Sequence, residues 1–155
     1  RIKVPDFAIV PGDHLWPTVV FEFGYAEPYD DLKADVKLLL EGTEGKITKA
    51  VIIKLQPLRE GETEIQKGFV DMWHLCDGQA QKCSGRKNLF PPPASYASHK
   101  LEINLKDILR EEFGNLASDG WSEDNTLVLK LDSLWKSINK ATKRHLFRKG
   151  VLEEE

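Results

Sequence analysis

The sequence predicts an α/β (α+β) fold in which a mixed central β-sheet is flanked by helices. Two short apolar runs, 18–24 and 49–55, lie on either side of a segment with Pro28 near its start and Gly42 at its end. Proline near the start and glycine just past the end are typical of a helix. A strand, a helix and a second strand in this order predict parallel pairing of the two strands.

Further elements follow from alternation and from turn residues. The run 18–24 is β-branched or aromatic at both odd and even positions, which predicts a central strand buried on both faces. Asp132 and Ser133 are the predicted N-cap of the last helix. The remaining predictions are strands at 2–10, 63–73, 101–105 and 126–131, a short helix at 106–113, a long helix at 134–149 and a frayed tail at 153–155.

Length and composition restrict the class of protein. The 155 residues suffice for one domain, and their net charge of −3 argues against a uniformly basic nucleic-acid coat. No apolar run approaches the length of a membrane-spanning helix, so we expect an intracellular protein, in the cytoplasm or nucleus, without a membrane partner. Cys76 and Cys83 are two free thiols by default, and a disulfide or a zinc site with His74 are the alternatives.

Glu22 stands out because it is an acid inside the predicted central strand. A buried carboxylate is unfavourable unless it is paired, hydrogen-bonded or bound to a metal. The alternative is a position at the rim of the sheet, since Gly24 follows closely. Asp6 supplies a second carboxylate on the preceding strand, and two such acids can hold a hard divalent cation through their oxygens. Such a metal would lower the pKa of a bound water.

The ordered series of these residues resembles the PD-(D/E)XK nuclease superfamily. It consists of Pro5-Asp6, Pro17-Thr-Val-Val-Phe-Glu22-Phe-Gly-Tyr, Leu32-x-x-Asp35-x-Lys37 and the strand at 49–55. The series is most similar to bacterial restriction endonuclease-like proteins and to uncharacterised fungal proteins. The resemblance implies a single domain over 1–155, with a core at about 1–56, an extension at 57–155, and an N-terminal part of the family core that is missing or precedes Arg1.

The resemblance also implies a site and a chemistry. Asp6 and Glu22 would hold Mg or Mn, and the substrate would be DNA. The superfamily usually has a lysine two residues after the glutamate, where this chain has Gly24. Lys37 on the following helix would replace it and position the attacking water. The secondary candidates are Lys33 as a substitute for Lys37, Asp35 as the partner of a lysine or an aid to the metal, and Tyr25 beside the centre.

The last predicted helix carries a basic stripe at four-residue spacing, and Leu134, Ile138, Ala141 and His145 are expected on its packed face. Basic stripes can follow nucleic-acid phosphates, but an ordinary solvated face has the same composition. The candidate nucleic-acid-binding residues are Lys136, Lys140, Lys143, Arg144 and Arg148.

Three hypotheses therefore stand after the sequence alone. The first is a metal-dependent nuclease that uses Asp6, Glu22 and Lys37. The second is a catalytically inactive module of the same fold that binds nucleic acid or a protein. The third is a structural core in which Glu22 is simply paired with a cation. A core without its first strand would expose a sheet edge, which would favour a homodimer.

Overall fold

The computed structural model of the protein describes residues 6–12, 15–83, 85–93, 99–120, 122 and 124–150, with the backbone alone at 112 and 115–117. Pro5 of the Pro-Asp pair and the predicted tail at 153–155 lie outside these ranges. In the described part of the chain, no helix is long and apolar enough to cross a membrane.

The described part of the chain contains eight strands, four α-helices and one 3₁₀ turn. The strands are β1 (Phe7–Ile9), β2 (Val19–Gly24), β3 (Lys49–Leu55), β4 (Gly68–Cys76), β5 (Gln79–Lys82), β6 (Lys87–Phe90), β7 (Lys100–Asn104) and β8 (Thr126–Lys130). The helices are α1 (Tyr29–Gly42), α2 (Leu105–Leu109), a 3₁₀ turn (Arg110–Glu112), α3 (Phe113–Ser118) and α4 (Leu131–Arg148).

The main sheet confirms the predicted mixed α+β fold. Its strands run in the order β1-β2-β3-β4-β5, and β6 also pairs with β4. β2 and β3 are parallel, as the strand, helix, strand order predicts, whereas the other pairs in this sheet are antiparallel. A separate two-stranded ribbon forms from β7 and β8.

The main sheet has a hydrophobic layer on each face, because side chains alternate along every strand. On one face, which we call the α1 face, Val20 and Ile52 pack with the buried side of α1. On the other face, Val51 and Val70 pack with residues of the ribbon and of α4, including Ile138. β2 is therefore central and buried on both sides over most of its length, as predicted.

The middle of the chain is more regular than its polar composition suggests. The predicted strand at 63–73 is β4, which starts and ends later, and β5 and β6 were not predicted. Asp77 and Gly78 join β4 to β5 with positive φ angles of 52° and 77°. An Asp-Gly pair is a strong hairpin signal in a sequence, and it marks this turn.

Two helix boundaries differ from the prediction. Asp132 and Ser133 do not cap α4, which begins at Leu131 with Lys130 in the N-cap position and no side-chain cap. The helix starts directly from β8 because Leu131 is buried and its N–H donates to the carbonyl of His99. The short helix predicted at 106–113 is broken at Arg110, whose φ of 53° does not continue an α-helix.

Gly24 ends β2 directly beneath α1. A Cβ atom added at this position would overlap Leu32 Cδ1 and would lie 3.2 Å from Leu32 Cγ. Leu32 is fully buried between the helix and the sheet, so its side chain has little room to move aside. Gly24 therefore allows α1 to approach the sheet closely.

Replacing Gly24 by Ala tests this close approach. We expect Gly24→Ala to lower the free energy of unfolding by about 1–2 kcal/mol, because the added methyl group overpacks the contact with Leu32. Urea denaturation measures the change. Gly85→Ala is the matched control, because no atom lies within 4 Å of a Cβ added there. Equal stability of Gly24→Ala and the wild type would contradict the inference.

Candidate functional site

Glu22 lies near the middle of β2 on the α1 face. It alternates with Phe21 and Phe23 and shares its face with Val20 and Gly24, which contact the α1 side of the molecule. Its side chain is 0% exposed. The rim alternative is therefore wrong, and any ligand of Glu22 has to reach a carboxylate that is covered by the sheet and the helix.

Asp6 lies just before β1 at the edge of the same sheet. The pairing of β1 with β2 ends with Phe7 opposite Phe21, and Asp6 is the residue just beyond this last pair. Asp6 is exposed, however, and its Oδ2 accepts a hydrogen bond from the Phe23 N–H at 2.8 Å. It also lines a cleft together with Phe21 and Phe23, on the face opposite α1. The Asp6 carboxylate therefore bonds a backbone amide of β2 just before β1 begins.

Lys37 and Lys33 lie on α1, but neither lies on its buried side. That side consists of Leu32, Val36, Leu39 and Leu40. Lys37 is exposed, so the structure does not bring it to Glu22, which lies beneath the helix. Lys33 forms an ion pair with Asp30 at 3.1 Å, and its ammonium lies 5.0 Å from the centre of the Tyr29 ring.

Asp35 and Tyr25, the two remaining secondary candidates, lie at different places. Asp35 is half-buried on α1. Tyr25 follows β2 and is 40% exposed, and its hydroxyl oxygen accepts a hydrogen bond from the Leu58 N–H at 2.9 Å. Tyr25 therefore connects the end of β2 to the loop after β3.

Lys54 is a lysine near the candidate site that the sequence reasoning missed. It is the register partner of Gly24 on the parallel strand β3. Its Nζ donates to the carbonyl oxygens of Tyr25 and Leu55, each at 2.8 Å. Burial lowers the Lys54 pKa, and the nearby charge of Glu27 partly opposes this shift. Parallel pairing of β2 with β3 would have indicated this position, because Gly24 and Lys54 lie near the ends of the two predicted strands.

The predicted metal ligands do not form a complete set in the part of the chain that the structure describes. Among these residues, no group of three or more His, Cys, Asp or Glu side chains could hold a metal ion. Asp6 already uses one oxygen on a backbone amide, and Glu22 is covered. The described residues therefore do not fit a Mg or Mn site by themselves, and the metal stays a prediction from the resemblance.

The two cysteines are separate free thiols. Cys76 is the last residue of β4. Cys83 lies beside Met72, in the middle of the same strand, and its N–H donates to the Met72 carbonyl. Burial raises the pKa of the Cys83 thiol, which favours its protonated form.

A second buried acid, Asp71, lies on the α1 face and was not predicted. Ile52 pairs with Glu22 on one side and with Asp71 on the other, so the two acids are separated by two strand spacings, about 10 Å. Asp71 is 0% exposed. Arg86 binds it in a bidentate manner, with Nε to Oδ1 at 2.9 Å and Nη2 to Oδ2 at 3.0 Å.

Further groups complete the surroundings of Asp71. The Tyr29 hydroxyl donates to Asp71 Oδ2 at 2.5 Å, and the Lys82 ammonium lies 3.7 Å from the same oxygen. The Arg86 guanidinium lies 3.6 Å from the centre of the Phe69 ring. Because Tyr29 is the first residue of α1, this cluster ties the start of the helix to β4. Both Asp71 oxygens accept hydrogen bonds from side chains of the protein, which is typical of a structural role.

The basic residues of α4 form a continuous exposed surface, which we call the α4 basic face. Its five cations, Lys136 to Arg148, are all exposed, and none forms an ion pair within the described part of the chain. Phe147 is 46% exposed and follows Lys143 by four residues, so its ring lies on this face. The basic members are Lys136, Lys140, Lys143, Arg144 and Arg148.

The α4 basic face is opposite in charge to the rest of the protein. Five cations against the single acid Asp132 give α4 a charge of +4, so the remainder of the chain carries −7 to reach the total of −3. Fewer residues of α4 are buried than predicted. Ile138 is buried, but Ala141 and His145 are exposed and line a shallow groove with Phe23 and Tyr25.

Comparison with known proteins adds no relative: no family model, no curated protein and no solved structure matches the chain. The mixed α+β fold therefore rests on the geometry described above. The resemblance to PD-(D/E)XK nucleases stays a prediction.

The Tyr29 hydroxyl gives the Asp71 cluster a testable pH dependence. Burial, together with the hydrogen bond to Asp71, raises the pKa of Tyr29 from 10.0 to about 12. A phenol whose pKa is higher in the folded state contributes stability below pH 10 and loses this contribution as the pH rises to about 12. We expect Tyr29→Phe to be less stable than the wild type at pH 8. This difference in the free energy of unfolding should shrink as the pH rises from 10 to about 12.

Urea denaturation of both proteins across this pH range measures the difference. Phenylalanine keeps the ring that contacts Phe69 at 5.2 Å between centroids, so the comparison isolates the hydroxyl. A stability difference that stays constant from pH 8 to pH 12 would refute the assignment.

Proposed function

We propose that this protein binds nucleic acid through the α4 basic face. The observation that carries the proposal is the set of five exposed cations without an ion pair in the described part of the chain, on a protein whose remainder is acidic. An acidic protein with one cationic surface presents that surface to polyanions and repels them elsewhere.

The spacing of the cations supports a continuous polyanion. Lys136, Lys140, Arg144 and Arg148 follow one another at four-residue intervals, so they lie on one side of the helix and cover about 18 Å. Like charges at this interval destabilise a helix by about 0.2–0.5 kcal/mol per pair. Three such pairs therefore cost about 1 kcal/mol in the free protein, and bound phosphates would remove this repulsion.

Phe147 supports a nucleic acid in particular. Its ring is nearly half exposed between Lys143, Arg144 and Arg148. An aromatic ring beside cations can stack on a base while the cations contact the phosphates, which is how many proteins hold single strands. A helix that only needed solubility would have no use for an exposed phenyl group at this position.

Removing one cation from the α4 basic face tests the proposal. We expect Arg144→Gln to weaken binding to single-stranded and duplex DNA and to make the slope of log K against log salt shallower by about 0.7–0.9. Fluorescence anisotropy of a labelled oligonucleotide between 50 and 300 mM salt measures the slope.

Lys67→Gln is the matched control, because it removes one exposed cation from the loop before β4. Its slope should equal that of the wild type. The proposal fails if the two variants change the slope equally, or if the wild type does not bind either oligonucleotide.

Metal-dependent hydrolysis of DNA is the second candidate function, and it rests on the resemblance. One observation favours it: Lys54 is the register partner of Gly24, where the superfamily has its lysine. Against it, Asp6 lines the cleft on the face opposite α1, whereas Glu22 lies on the α1 face. Glu22 is fully buried, and Asp6 accepts a hydrogen bond from the Phe23 amide. Both facts favour binding of nucleic acid without cleavage.

Incubation with supercoiled plasmid and Mn²⁺ distinguishes the two functions. We expect no cleavage by the wild type beyond that of Glu22→Gln, because the described acids do not converge on an accessible cation site. Lys54→Met and Lys37→Ala complete the series. Cleavage that is lost in Glu22→Gln while DNA binding persists would establish the nuclease instead. Equal cleavage by all four proteins would identify a contaminating enzyme.

A further inference from the structure

A deep cleft lies on the face of the main sheet opposite α1, and the proposed nucleic-acid interface does not include it. It encloses about 580 Å³ between β1 and β2 on one side and β8 with the start of α4 on the other. Clefts of this size commonly hold small organic ligands, and most of their lining is apolar. This cleft is separate from the α4 basic face, whose residues do not line it.

One wall of the cleft is aromatic and partly open to solvent. Phe7, Phe21 and Phe23 line it, and the rings of Phe7 and Phe21 meet edge to face with centroids 5.5 Å apart. Phe7 is 64% exposed and Phe23 is 41% exposed. Exposed phenyl groups at the mouth of a cleft are unfavourable in water, and a bound ring would cover them.

The floor and the opposite wall are aliphatic. Val51 and Val70 form part of the floor and are each only 1% exposed, so little of either side chain is open to solvent. Val128 lies on the opposite wall and is 41% exposed. A flat ring could therefore contact the phenyl groups of one wall and the aliphatic side chains of the other.

The two rims of the cleft carry opposite charges. Lys130 and Ser133 lie at the α4 end, and Lys130 forms no ion pair with any residue that the structure describes. Its cross-strand partner Lys100 is paired with Glu102 at 3.1 Å, so Lys130 is the cation that gives this rim its positive charge. Asp6 lies at the β1 end, with one oxygen engaged by the Phe23 amide. An acidic group is therefore attracted to Lys130 and repelled by Asp6.

We propose that this cleft binds a planar aromatic acid, with its ring between the phenylalanine wall and Val128 and its acidic group at Lys130. The ring removes apolar surface of Phe7 and Phe23 from water. The acid gains a charge-assisted contact with the Lys130 ammonium, and the Ser133 hydroxyl can donate a second hydrogen bond.

Two fluorescent probes with the same ring system test the proposal. Anilinonaphthalenesulfonate carries an acidic group, and N-phenylnaphthylamine lacks it. We expect each probe to bind the wild type at one saturable site per chain, the sulfonate more tightly. Val128→Trp should fill the mouth of the cleft and weaken both probes about tenfold or more. Gln81→Trp is the matched control, because Gln81 is an exposed residue of the edge strand β5 that does not line the cleft, and it should change neither affinity.

A second pair of variants tests the charge. Lys130→Gln should weaken the sulfonate about fivefold and leave the neutral probe unchanged. Lys136→Gln removes an exposed cation of α4 that does not line the cleft, and it should change the affinity for neither probe. If Lys130→Gln affects both probes equally, or affects neither, the acidic group is assigned wrongly.

Phe7→Ala keeps the test valid if Val128→Trp does not fold. Phe7 is mostly exposed, so its truncation should leave the fold intact and weaken both probes several-fold. Far-ultraviolet circular dichroism and urea denaturation of each variant verify the fold, since partly unfolded proteins also bind the sulfonate. Wild-type affinity for both probes in folded Val128→Trp or folded Phe7→Ala would overturn the proposal.

Discussion

The close contact between the backbone of Gly24 and the side chain of Leu32 determines much of the arrangement described above. Because no side chain intervenes, α1 lies directly on the ends of β2 and β3. The same contact covers Glu22 and brings Tyr29, at the start of the helix, to Asp71 on β4. A lysine at position 24 would be incompatible with this packing. The residue that separates this chain from the usual nuclease pattern therefore has a structural reason.

The α1 face combines two buried acids with different surroundings. Asp71 receives two hydrogen bonds from Arg86 and one from Tyr29, and its partners come from α1 and from the segment before β6. A fully bonded ion pair of this kind holds specific elements together, although its net contribution to stability is small compared with the cost of breaking it. Glu22 lies two strands away, under the same helix. The two acids share a face, and Asp71 is the one that Arg86 and Tyr29 bind.

The protein has three chemically distinct surfaces on one small scaffold. The acidic remainder of the chain repels polyanions, whereas the α4 basic face has the charge that attracts them. The cleft lined by Phe7, Phe21 and Phe23 offers apolar surface next to Lys130. The cleft and the basic face share α4, since Ser133 and Leu134 line the cleft while Lys136 and Lys140 lie on the exposed side. A ligand in the cleft would therefore contact the helix that carries the proposed nucleic-acid interface.

The sequence alone determined the local features of this protein. Periodicity and turn residues were sufficient for α1, for the parallel pair β2 and β3, and for a long basic helix, because these depend on neighbours in the chain. The acid at Glu22 was also visible as an anomaly. Only the tertiary structure decided that Glu22 is covered, that Lys54 rather than Lys37 adjoins Gly24, and that Arg86 meets Asp71. These outcomes depend on strand register and on helix approach, which are set by contacts between residues far apart in sequence.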